Sequence, residues 1–134
     1  MNGPIPSSWS PTLLSLMRIV TALGYMTHGT QKLFGVPTNE PRGTVELMSQ
    51  MGAAGVIEVV GGALLLIGLF TRPVAFLCAG QMAAAYFIAH APRGFWPLLN
   101  GGEIAAAYCF VFLYISVAGP GPLSLDAMRS GGRR

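Results

Sequence analysis

Eight polar side chains interrupt stretches of sequence that are otherwise apolar: Arg18, His28, Gln31, Lys32, Glu58, Gln81, His90 and Glu103. Arg18, Thr21, Tyr25, His28 and Lys32 step by three, four, three and four residues, which places them on one face of a helix. Glu58 shares a helical face with Gly55 and Gly62 in the next apolar run, and small residues of that kind let backbones approach closely. At about 1.5 Å per residue, His28 and Glu58 both fall about 9–10 Å below the outer ends of their runs. His90 and Glu103 lie near that same surface, whereas Arg18 is about 15 Å from His28 along the axis. The expected site is therefore a cluster of His28, Lys32, Glu58, His90 and Glu103 facing the extracytoplasmic side.

Two kinds of chemistry suit such a cluster. In one, His28 and Glu58, within hydrogen-bond reach or one water apart, exchange a proton. Lys32 or His28 then donates to a carbonyl oxygen, Glu58 or Glu103 exchanges a proton with the outside, and His90, Glu103, Tyr25 and Tyr86 complete a ligand site, because a desolvated carboxyl beside a base can be tuned for proton transfer. In the other, the same residues only hold helices in register. Lys32 and Glu103 form an interfacial ion pair, Glu58 is neutral or hydrogen-bonded to His28 or Tyr25, and Arg18 is a structural polar residue that snorkels to the inner headgroups. Two histidines beside two carboxylates raise the idea of a metal or haem, but no HExxH or ExxH spacing is present, so no metal site is expected.

The elements that must position these residues follow from composition. Of 134 residues, 52% are hydrophobic and only 10% charged. A soluble domain carries about 25% charged residues. So few charges cannot coat a globule in water, and the surrounding medium is expected to be lipid. A span needs roughly 20 apolar residues, and four candidates run at about 11–34, 51–70, 74–91 and 102–118. Gly35-Val36-Pro37, Thr71-Arg72-Pro73, Pro92-Arg93-Gly94 and Gly119-Pro120-Gly121-Pro122 punctuate them. The expected fold is all-α: one domain over residues 1–134, an integral membrane bundle of four transmembrane helices with a tail at 119–134. Tyr25/His28 and Tyr86/His90, each followed by glycine and an acid (Gly55 with Glu58, Gly102 with Glu103), suggest two pseudo-repeated helical hairpins. The stretch 35–50 reads either as an irregular loop or as one carrying a short amphipathic helix through Val45, Leu47, Met48 and Met51.

Lys and Arg counts favour both termini on the cytoplasmic side. Arg72, Arg129, Arg133 and Arg134 fall there, against Lys32, Arg42 and Arg93 opposite. Trp9 and Trp96 suit the two aromatic belts. The net charge of +3 is scattered apart from the tail arginines. Anionic lipid, not nucleic acid, is the expected partner. Cys78 and Cys109 lie inside apolar runs and read as small buried hydrophobes. No positive n-region precedes the first run, so that run is expected to remain attached.

The residues also carry a resemblance. His28-Gly29-x-x-Lys32-Leu33-Phe34, then Glu58-x-x-Gly61-Gly62-x-Leu64-Leu65-Leu66-x-Gly68-Leu69-Phe70-Thr71-Arg72, resemble the DoxX family of small bacterial membrane proteins. So do Met82-x-x-Ala85 leading to His90, Asn100-Gly101-Gly102-Glu103, and Gly119-Pro120-Gly121-Pro122-Leu123-Ser124-Leu125-Asp126. The resemblance implies a multi-pass inner-membrane protein tied to redox and thiol-stress assemblies, with a quinone as the implied redox partner. It equally admits an accessory or assembly subunit within a larger membrane complex, or a homo-oligomer. The chain has no surface cysteine pair and no nucleotide-binding glycine loop, and a shared fold does not by itself bring a shared activity.

Overall fold

The computed structural model describes residues 3–38 and 43–131. Arg42, Arg133 and Arg134, which entered the charge count above, lie outside the described residues. The described residues form helices and no strand. These are α1 (Ser10–Phe34), α2 (Gln50–Ile67), α3 (Thr71–Ala85), α4 (Pro97–Asn100), α5 (Glu103–Ala118) and α6 (Leu125–Gly131). A π-helical stretch, Tyr86–His90, and a 3-10 turn, Ala91–Arg93, extend α3. Two helices are long and apolar enough to cross a membrane, Gln50–Ile67 and the continuous run Thr71–Arg93; Glu103–Ala118 is a shorter apolar one. The 25-residue α1 is longer than either, but its polar stripe dilutes its apolar character.

Turn chemistry sets the ends. Gly35 and Gly68 take the left-handed conformation after α1 and α2, the position where a Cβ would be strained. Ser49 caps α2, its hydroxyl accepting from the Gly52 N–H at 3.0 Å. Residues 43–49 form no helix before that cap, so the amphipathic segment at Val45–Met51 is irregular up to Gln50. Its backbone is tied down by a Val45 N–H bond to the Lys32 carbonyl at 2.9 Å. Two helices were not foreseen: α4, and α6 inside the expected tail.

α1 packs mainly on α2, and α3 mainly on α5, the partners expected of two consecutive hairpins. The α1–α2 seam is glycine-built. A Cβ on Gly29 would stand 2.7 Å from the Gly55 carbonyl oxygen and 2.8 Å from Glu58 Cβ; one on Gly62 would stand 2.8 Å from Met26 Cβ. Between the hairpins, Ala22, Tyr25, Leu65, Ala75, Cys78, Phe112 and Ile115 form the buried core. Gly62→Leu should wedge α1 from α2 and lower stability in detergent by about 1–3 kcal/mol, the usual cost of overpacking. Val60→Leu, on the exposed face of the same helix, should leave the melting temperature unchanged. Equal effects would mean the seam is misplaced.

Candidate functional site

The close α1–α2 approach at Gly29 and Gly55 lets Lys32 meet Glu58. Lys32 Nζ donates to both carboxylate oxygens of Glu58, each at 2.6 Å. The Glu58 side chain is 1% exposed and that of Lys32 22%. α3 closes the third side: Gln81 Nε2 donates to Glu58 Oε1 at 3.2 Å, and Gln81 Oε1 accepts from the Tyr25 hydroxyl at 2.9 Å. Tyr25 is buried, edge-on to Phe112 with ring centroids 4.8 Å apart. Lys32, Glu58, Gln81 and Tyr25 thus form one hydrogen-bonded line across three helices. Its ion pair is closed on both oxygens, the arrangement a buried carboxylate needs.

The structure divides the expected cluster. His28 is exposed and lies beside the Tyr108 ring, centroids 6.2 Å apart. It makes no hydrogen bond to Glu58 among the described residues, because Gly29, not His28, is the α1 residue turned onto α2. Lys32 pairs with Glu58 and not with Glu103, which is exposed at the start of α5. Tyr86 and His90 belong to a second set centred on Asn100. Asn100 Nδ2 donates to the Gly94 carbonyl at 2.9 Å and to the Tyr86 hydroxyl at 3.3 Å, and its Oδ1 accepts from the Gly102 N–H at 2.8 Å. His90 Nδ1 lies 3.1 Å from the Asn100 carbonyl oxygen, the side on which that ring nitrogen donates. Asn100 therefore folds the α3–α5 connection and binds the polar groups of the π-helical stretch locally.

Gln81 and Asn100 are the functional candidates that spacing arguments underweighted. Gln81 carried a signal of its own, since an amide inside an apolar run needs a partner. Asn100 carried only its place in a turn.

Arg18 does not snorkel. It is 0% exposed, and its guanidinium donates to the carbonyls of Leu65, Leu66 (2.9 Å), Pro120 (2.9 Å) and Leu123 (2.5 Å). The first two belong to the last turn of α2, where the Gly68 N–H reaches Leu65 at 3.2 Å and the guanidinium serves Leu66 as well. The other two belong to the segment after α5, so Arg18 binds that segment to the bundle. Ser15 helps, accepting from the Leu123 N–H at 3.1 Å.

Asp126 completes this end as a non-local cap, accepting from the Phe70 N–H at 3.0 Å and the Thr71 N–H at 2.8 Å. Phe70 has φ of 51°, a left-handed conformation unusual for a side-chain-bearing residue, and this cap holds it. Burial alone would raise the Asp126 carboxyl, but hydrogen bonds from Thr71 and Phe70 and the Arg129 charge hold it below the usual carboxylate range. A carboxylate with a depressed folded-state pKa stabilises above the unfolded value, about 4, and that stability is lost as pH falls through the lowered value. Asp126→Asn should cost about 1 kcal/mol near neutral pH. In melting curves against pH, the gap between variant and parent should begin to close below about pH 4 and vanish as pH falls through the lowered value; a constant gap would mean the carboxylate charge is irrelevant.

The family model DoxX matches residues 13–91, from the first turn of α1 to the last residues of the α3 extension. The chain is 43% identical over 122 residues to an uncharacterised protein of Haemophilus influenzae, covering 88% of this chain and 91% of that one. It is 31% identical over 137 residues to the inner membrane protein YphA of Escherichia coli, covering 87% and 89%. At 24% identity over 126 residues, covering 89% and 88%, it is similar to a Bacillus subtilis protein named "Putative oxidoreductase CatD". No solved structure matches the chain significantly. The family match holds the whole α1–α2 seam and both partners of the Lys32–Glu58 pair, and the chain is a membrane protein belonging to the DoxX family.

Proposed function

We propose that the whole chain is one DoxX domain with four spans (α1, α2, extended α3 and α5) in a bacterial inner membrane, with both termini cytoplasmic. We further propose that the Lys32–Glu58 pair is the proton-handling centre of a quinone-linked redox component. The observation that carries this reading is the state of Lys32. An ammonium has three N–H donors; two are spent on Glu58, and the side chain is partly exposed. The third is available to a quinone carbonyl oxygen. When a partner protein supplies the two electrons, Lys32 gives that oxygen one proton, water on the extracytoplasmic side gives the other oxygen the second, and Lys32 is reprotonated from the same side. Glu58 holds the Lys32 nitrogen in place in either protonation state, and Gln81 and Tyr25 fix the carboxylate. The oxidoreductase label on the distant Bacillus subtilis relative agrees with this reading.

One observation favours a second reading, a non-catalytic accessory subunit in a larger complex. The oxygens of Glu58 and the amide of Gln81 all have partners among the described residues, as a purely structural lock requires. Glu58→Gln separates the two. Its amide still bonds to Lys32 and Gln81, so the fold should persist with a modest drop in melting temperature. Reduction of a short-chain quinone by membranes carrying the variant should fall at least tenfold relative to the parent, close to membranes lacking the protein. Unchanged reduction would remove the proton-transfer role and leave the accessory reading.

A further inference from the structure

The turn between α2 and α3 joins the two helices that are long and apolar enough to cross a membrane; in the four-span arrangement proposed above, on which this inference rests, residues 68–70 fall at the level of the lipid headgroups. A cleft of about 550 Å3 opens there, lined in part by Phe70, Arg72, Pro73, Asp126, Arg129 and Ser130. Its two arginines come from different elements and both are held. Arg72 Nη1 donates to the Val117 carbonyl at 2.5 Å, and the Arg129 guanidinium stands 5.5 Å from the centroid of the Phe70 ring. Asp126 is the single acid lining the cleft, and both its oxygens already accept backbone N–H groups. One aspartate against two arginines leaves the cleft net positive. Beside this charge lies apolar surface: Phe70 in the lining is 54% exposed, and the exposed Phe76 and Leu77 follow Pro73 by three and four residues, one turn further along the same side of α3.

We propose that this cleft binds the phosphate headgroup of an anionic phospholipid, with the acyl chains lying along Phe76 and Leu77. A phosphate anion would satisfy the arginines alone. Only a lipid uses both the charged pocket and the apolar flank running from it, and the level of the turn in the bilayer delivers lipid to that place. The inference stands apart from the quinone reading, because it concerns the opposite end of the helices from Lys32 and Glu58.

The test is native mass spectrometry of the full chain, purified in mild detergent and offered equal amounts of phosphatidylglycerol and phosphatidylcholine. The parent should retain phosphatidylglycerol in clear preference. Each arginine removed should weaken that preference about fivefold, the factor equivalent to ~1 kcal/mol per basic residue at an anionic surface. Arg129→Gln carries the test if Arg72→Gln, which also loses the Val117 contact, fails to fold. Arg93→Gln, at the other end, should leave the preference intact. Equal retention of the two lipids by the parent, or an equal loss in Arg93→Gln, would overturn the proposal. Displacement of the lipid by millimolar inorganic phosphate would overturn the lipid assignment in favour of the free anion.

Discussion

Lys32→Met is expected to lower stability by about 3–5 kcal/mol, because it leaves Glu58 as a buried carboxylate without its cation. Glu58 is closed in by α1, α2 and α3, so water cannot readily replace the ammonium. Gln81 offers one hydrogen bond and no charge. Replacing both partners together, Lys32→Met with Glu58→Leu, should recover most of the loss, since apolar substitutes for a buried ion pair are often neutral or stabilising. Thermal or denaturant melting of the two single variants and the double one gives the coupling directly. Additive losses would mean the pair does not interact as the 2.6 Å contacts require.

Arg18→Met carries the other large effect. Four carbonyls lose the guanidinium; Leu65 keeps the Gly68 N–H and Pro120 the Ser15 hydroxyl, but Leu66 and Leu123 lose the donor that serves them, and each buried acceptor left unpaired costs about 1–3 kcal/mol. The loss should therefore be about 3 kcal/mol or more. It should also be local: with the Pro120 and Leu123 carbonyls released, residues 119–131 should come away from the bundle and be cut early in limited proteolysis while α1–α3 stay protected. Uniform digestion of the whole chain would show that Arg18 serves the bundle core and not the tail.

How much of this was legible in the sequence can be judged residue by residue. Helix positions followed from apolar run length and from Gly and Pro punctuation, because both act through neighbours in the chain. The glycine face of Gly55, Glu58 and Gly62 was readable for the same reason, and it correctly turned Glu58 onto a neighbouring helix. Partner choice was not readable. Depth placed His28 level with Glu58, but a lysine four residues further on has the length to reach back along its helix. The rotation of α1 about its own axis, set by packing at Gly29, turned the imidazole outward. Tyr86 and His90 were drawn away by Asn100, a turn residue whose side chain bonds only once the α3–α5 connection has folded. Arg18 was misread because its acceptors, the last carbonyls of α2 and those of a Pro-Gly segment, are backbone atoms that no side-chain pattern marks. Asp126 capping α3 across more than fifty residues is invisible for the same reason.

The central claim is that the Lys32–Glu58 pair handles protons and does not merely hold helices together. Its most direct test is quinone reduction by membranes bearing the Lys32→Met, Glu58→Leu double variant, in which most of the stability is retained and both exchangeable groups are removed. The double variant should fold correctly, and its contribution to quinone reduction should fall to the level of membranes lacking the protein. Reduction at the parental rate by the folded double variant would contradict the claim.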